Sequence, residues 1–285
     1  MNPMSATQIL RTPDEKAVRR FRRRTQTQLA FDDLVTGTRS WWLWSTMAWQ
    51  DIRQGYRGSV LGPFWLTISM GIMVGALGVL YSAIFRMEIT TFLPYLALGL
   101  LFWNLISSLI IDGTSAFVKA EGVLLQVRMP MTVHVLRCVM RNLIVFLHNC
   151  IIGVAILVLF AIPQSLYSLV SLIGLALILL NGFWATLLFG MLCTRFRDIG
   201  PIVSSITQIV FFLTPIIWMP EALGEHVWMT YLNPAYAFLE IARGPLLGHT
   251  VPFPLWVMAF GVTCVGYLVT FLFFARFRAR IPFWV

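Results

Sequence analysis

The sequence is poor in charge: Asp, Glu, Lys and Arg make up 12% of its 285 residues, against 58% hydrophobic residues. A soluble domain carries about 25% charged residues, so a water-soluble globular fold is excluded and the chain reads as a polytopic membrane protein. Lysine is rarer still. Lys16 and Lys119 stand alone, and neither sits in G-x-x-x-x-G-K-[ST]. Without that phosphate-cradling loop the chain is no P-loop ATPase by itself. No Asp, Glu, Lys or Arg lies well inside the apolar runs, which disfavours a proton- or sodium-coupled carrier, because those place ionisable groups at mid-membrane. His148 is the one titratable side chain within a run, and its expected state is neutral and hydrogen-bonded between helices. The four cysteines, Cys138, Cys150, Cys193 and Cys264, form no C-x-x-C pair, and no Cys/His cluster has metal-ligand spacing. No metal and no cofactor is expected. Residues 1–31 lack the apolar core of a cleavable signal, and the ending Ile281-Pro282-Phe283-Trp284-Val285 is no lipidation box.

What charge there is has a pattern. The net charge of +9 sits at the ends of apolar runs, the signature of membrane topology rather than of nucleic-acid binding. Runs of about 20 apolar residues suffice to cross a bilayer. Residues 64–85 and 93–111 each fit one crossing. The uncharged run 142–194 would extend about 80 Å as one helix, too long for a core of about 30 Å. It therefore reads as two spans, 142–161 and 166–192, turning at Ala161-Ile162-Pro163-Gln164-Ser165. Residues 200–219 and 254–275 complete six spans in an all-α fold. All of the 21 Lys and Arg except Arg86 and Arg243 then fall on one side, which puts both termini in the cytoplasm.

The chain changes medium at Trp49–Trp65. Residues 33–57 read as an amphipathic helix lying in the membrane interface, with Trp41, Trp42, Trp44, Ala48, Trp49, Ile52 and Tyr56 on one arc and Gln50, Asp51, Arg53 and Gln54 on the other. Gly55, Gly58 and Gly62-Pro63 let the backbone turn into the bilayer. Ahead of it, residues 1–31 form a basic extension whose Arg19-Arg20-Phe21-Arg22-Arg23-Arg24 attracts anionic lipid. The segment 112–130 reads as a short surface helix ended by Pro130. The external segment 220–251 is too apolar for an open loop. With Asn233-Pro234 dividing it, 221–247 reads as a re-entrant helical hairpin between spans 5 and 6.

Four stretches carry a resemblance that runs over about 30–275. They are Asp51-Ile52-Arg53-Gln54-Gly55-Tyr56-Arg57-Gly58-Ser59-Val60-Leu61-Gly62-Pro63-Phe64-Trp65; Thr194-Arg195-Phe196-Arg197-Asp198-Ile199; Thr214-Pro215-Ile216-Ile217-Trp218; and Leu232-Asn233-Pro234 with Arg243-Gly244. In order and spacing they resemble the membrane subunit of type-2 ABC exporters, in the branch of O-antigen, capsule and teichoic-acid permeases. The resemblance implies a homodimer of this chain in the bacterial inner membrane, served by two copies of a separate cytoplasmic ABC ATPase. The substrate it implies is a lipid-linked glycan, and the chain itself would not be an enzyme. Arg53, Tyr56 and Arg57 are then candidates for receiving the carrier's phosphates, since guanidinium matches phosphate oxygens bidentately. Tyr81, Phe85, Tyr95, Trp103, Phe211, Phe212 and Trp218 are candidates for packing on sugar rings along the path. Residues 112–130 resemble the coupling helix seated on the ATPase, with Lys119, Glu121 and Arg128 as contacts. The 221–247 hairpin resembles an external gate, with Trp228, Tyr231, Asn233, Pro234 and Arg243. The alternatives are a drug- or antibiotic-exporting type-2 ABC permease, an intramembrane lipid-dependent glycosyltransferase, and a secondary carrier.

Overall fold

A computed structural model describes residues 25–58, 62 and 64–285, and every regular element among them is helical. The cluster Arg19–Arg24 lies outside the described residues. Thr25 opens the first helix, α1 (Gln26–Arg39), with a capping box in which its hydroxyl accepts from the Gln28 N–H while the Gln28 side chain accepts from the Thr25 N–H. The sequence reads as one helix over 33–57, but the chain makes two, α1 and α2 (Trp41–Gly55). They part at Ser40, whose N–H and hydroxyl both turn back onto the Thr36 carbonyl, at 3.1 and 2.8 Å. After α2 the backbone enters left-handed conformations at Gly58 (φ +88) and Gly62 (φ +55), which only glycine adopts without strain. The rest of the turn expected there, residues 59–61 and 63, lies outside the described residues.

Five helices are long and apolar enough to cross a membrane. They are α3 (Phe64–Phe85), α4 (Ile89–Thr114), α6 (Met131–Leu159), α7 (Val170–Arg195, extended backwards by a 3-10 turn from Leu166) and α10 (Phe253–Phe277). The chain is a multi-pass membrane protein. A further apolar helix, α8 (Ile199–Leu213), has 15 residues, about 22 Å at 1.5 Å per residue. It stops short of the 219 read from the apolar run because Pro215 disfavours helical dihedrals at the residue before it, and Thr214 is extended (φ −92, ψ 135). Helix α6 conversely starts before residue 142. Its first three turns carry Arg137 and Arg141 on a stem continuous with the span.

The short α5 (Glu121–Leu124) follows a 3-10 turn over Val118–Ala120, and Pro130 sits at the N-cap of α6. Beyond α8, a 3-10 segment over Pro220–Leu232, broken at Gly224 (φ +53), leads into α9 (Pro234–Arg243). The pair Asn233-Pro234 works as its spacing suggests. The Asn233 side chain accepts from the Ala235 and Tyr236 N–H groups, and proline at the first helical position has no N–H to leave unpaired. A final turn, α11 (Ile281–Trp284), closes the chain.

Helix α4 is the centre of the bundle, buried without a break from Phe92 to Trp103, whereas α3 and α10 each bury only scattered positions. Helix α3 turns one stripe inward, Thr67, Met70, Val74, Gly78 and Ser82, and leaves Ile72, Val79 and Ile84 exposed, as a helix facing hydrocarbon does. Asp33 ties the flanks together. Its carboxylate accepts from the Met131 and Thr132 N–H groups, from the Thr132 hydroxyl and from Arg278 at 3.1 Å. One acid from α1 thus caps α6 and holds the end of α10.

Candidate functional site

Among the described residues, Lys119, Arg137, Arg141 and Arg278 make their ion pairs toward one end of the bundle, called here the basic end. There α2, the end of α4 and the stem of α6 meet through charge. Asp51 of α2 receives Arg137 in a fork, from Nε at 2.7 Å and from Nη2. Asp112, near the end of α4, receives Arg141 Nη2 at 2.6 Å and has Lys119 Nζ at 3.6 Å. These pairs are half-buried, except for the more exposed Lys119. They link the expected coupling segment to the interface helix through α6. The pairs surround a cavity of about 310 Å³, which Gln54 and His134 also line. Burial raises the Tyr56 phenol above its ordinary pKa, with the nearby Arg141 pulling it down by less. Arg53 and Arg57 remain exposed and pair with no carboxylate among the described residues. Glu121 and Arg128 are exposed on the connection between α4 and α6.

The opposite end holds a different kind of charge. Arg243 is fully buried, yet it was read from the sequence as part of an external gate. It donates to Glu240 Oε2 at 2.5 Å and to the Pro215 carbonyl at 3.0 Å, and its guanidinium lies 3.8 Å from the Tyr95 ring centroid. Tyr95 donates to the Pro215 and Trp218 carbonyls at 2.9 and 3.1 Å. Tyr95 is therefore a fastener between α4, α9 and the turn after α8. Asn233 joins the same turn by donating to the Thr214 hydroxyl at 2.9 Å. Trp228 is exposed and Tyr231 half-buried on the 3-10 segment.

The path aromatics fall into two groups. Tyr81 stacks on Phe85 at 5.7 Å, beside Phe92. Trp103 meets Phe211 at 5.6 Å, which meets Phe212 at 5.2 Å, and Trp218 donates to the Phe212 carbonyl. Tyr95 and Trp103 are buried inside the protomer, while Phe85 and Phe212 are exposed. The sequence gives less notice of a groove of about 290 Å³ between α3, α4 and α6, whose lining is mostly apolar, from Leu66, Met70, Met73, Leu101 and Phe146, with a few polar side chains among them. The polar ones are Ser69, Asn104, Ser108, Asn142 and Asn149. Its signal was present as amides and hydroxyls within uncharged runs, with Asn104 exposed at mid-span. Glu240 and Arg243, opposite charges three apart in an apolar segment, were legible in the same way.

With this geometry in view, the comparisons with known proteins decide the family. Residues 43–247 match the family described as ABC-2 type transporter. The chain belongs to the ABC-2 type transporter family. Among its relatives is a Myxococcus xanthus protein named O-antigen export system permease protein RfbA, 24% identical over 214 residues, spanning 71% of this chain and 79% of that protein. Two Klebsiella pneumoniae proteins of the same name are 22% and 23% identical, and cover 76% and 71% of this chain. An ABC-2 permease is the membrane subunit of its transporter, with the ATPase on a separate chain. The matched region of this permease begins in α2 and ends just beyond α9, so it contains the basic-end cavity, the Arg243 fastener and the groove at Asn104. The Asp33–Arg278 contact joins the parts of the permease outside the match.

Proposed function

We propose that this ABC-2 permease is the membrane half of an ATP-driven exporter of a lipid-linked polysaccharide, of O-antigen or capsule type, across the bacterial inner membrane. It works as a homodimer with two copies of a cytoplasmic ABC ATPase, its basic end and both termini facing the cytoplasm. The observation that carries this is the likeness to three permeases named for O-antigen export, each spanning 71% or more of the chain.

The geometry supports the reading at four places. The 112–130 segment, with Lys119, Glu121 and Arg128, meets the ATPase, and the pairs Asp112–Arg141 and Asp51–Arg137 pass its displacement to α2. Exposed Arg53 and Arg57, with Tyr56, collect the carrier's phosphates at the membrane surface. The groove at Asn104 is mostly apolar and uncharged, and exposed Asn104 offers its amide to a sugar chain there without burying an ion, while exposed rings such as Phe85 and Phe212 pack on sugar faces. The hairpin 221–247 gates the far end through Trp228 and Tyr231, with Asn233, Pro234 and Arg243 setting its hinge. A deletion strain should lose its long surface glycan while its drug resistance is unchanged, and the intact gene should restore the glycan. Unchanged glycan together with lost resistance to an amphiphilic drug would overturn the substrate class in favour of a drug-exporting permease.

A further inference from the structure

We propose that the basic-end cavity is a binding site for a phosphate group, separate from the exposed Arg53 and Arg57. Three cations, Lys119, Arg137 and Arg141, face two carboxylates there, Asp51 and Asp112. The carboxylates are already engaged. Arg137 spends Nε and Nη2 on Asp51, but Arg141 spends only Nη2 on Asp112. Lys119 stands 3.6 Å from Asp112 with its side chain 57% exposed. The cavity thus keeps unspent donors and a net positive charge, while both of its carboxylates are paired.

His134 supplies the observation that calls for an occupant. It lines the cavity at 2% exposure, and neither ring nitrogen has a hydrogen-bond partner. Buried polar groups are normally paired, and a neutral imidazole always carries one N–H to give. An anion beside Lys119 and the free edge of Arg141 satisfies it. Guanidinium and ammonium groups together with a buried N–H are the donor set that phosphate oxygens take. A metal ion fits less well, since no group of three His, Cys, Asp or Glu is suitably placed among the described residues. The site stands on the cavity alone. Only its occupant's source, a lipid-linked phosphate, rests on the function proposed above; a free phosphate shares the same chemistry.

The test uses the full chain purified in maltoside, a phosphate-free detergent, with radiolabelled pyrophosphate in equilibrium dialysis. Wild type should bind saturably, one per chain. His134→Leu and Lys119→Gln should each weaken binding at least about ten-fold, while Arg86→Gln, the same charge change at the opposite end, should not. No saturable binding overturns the site, as does binding that survives both substitutions. Lys119 is exposed, so its variant decides the matter even if His134→Leu fails to fold. A short-chain polyprenyl phosphate should compete with pyrophosphate where polyprenol does not, which assigns the site to lipid-linked substrate. Pyrophosphate binding that the lipid phosphate cannot displace keeps the site for a free anion and removes it from the substrate route.

Discussion

Arg243 shows how one side chain can hold a full charge at zero exposure. Glu240 neutralises it, the Pro215 carbonyl takes a second N–H, and the Tyr95 face lies against the planar guanidinium. Removing one partner leaves the other charge buried and unpaired, so Arg243→Ala should cost about 3–5 kcal/mol. Glu240→Gln should be damaging for the same reason. The paired change Arg243→Met with Glu240→Leu should recover most of the loss, because apolar replacement of a whole buried pair is often neutral. Arg243→Lys should not rescue, since an ammonium lacks the fork that reaches both Glu240 and Pro215. Thermal unfolding in detergent, read by tryptophan fluorescence, compares the four. A double variant no better than Arg243→Ala alone would show that the charge pair is not what fastens the turn.

At the scale of elements, α9 is seated on α7 by the absence of a side chain. A Cβ at Gly174 would lie 2.6 Å from both the Cα and the N of Ala242, backbone atoms that cannot swing aside. Ser171, one turn earlier, donates to the Ala242 carbonyl at 2.5 Å. Gly174→Ala should therefore push α9 off its seat at a cost of about 1–3 kcal/mol, a drop of several degrees in unfolding midpoint. Gly261 in α10 has open space where its Cβ would be, and Gly261→Ala should be neutral or slightly stabilising. Equal effects at the two sites would mean that close helix approach is not what Gly174 provides. The same element scale explains α8. Its apolar run extends past Pro215, but the helix cannot, because proline acts on its own neighbour whatever the hydropathy.

For the whole molecule, charge asymmetry sets the orientation expected in the membrane. Arg243 is buried in its pair, which leaves Arg86 as the far end's exposed cation among the described residues. The imbalance across the bilayer is thus sharper than the bare count of Lys and Arg suggests. A fluorescent protein fused after Val285 should be bright and alkaline phosphatase inserted after Glu225 should be active. The reverse pattern would place the basic end outside. Large apolar side chains are exposed around the bundle, among them Ile72, Val158, Leu172 and Val265, as expected of a surface solvated by lipid rather than water.

Much of this was written locally. The length of each apolar run reports the medium a segment occupies, so the membrane-length helices, the need for glycine at 58 and 62, and the Asn233-Pro234 cap could all be read residue by residue. The break at Ser40 could not, because an amphipathic period continues across it and the side chains that halt α1 also suit a helix surface. Nor could the pairing of charges. Asp51 looked like one more residue on a solvated face, yet its partner Arg137 is 86 residues away. Periodicity tells a polar side chain which face of its own helix it shares, but not which neighbour that face will meet. Only the packing of α2, α4 and α6 decided that Asp51, Asp112, His134, Arg137 and Arg141 would enclose one cavity. Only the fold of α9 against α4 turned Arg243 from a loop cation into a buried fastener.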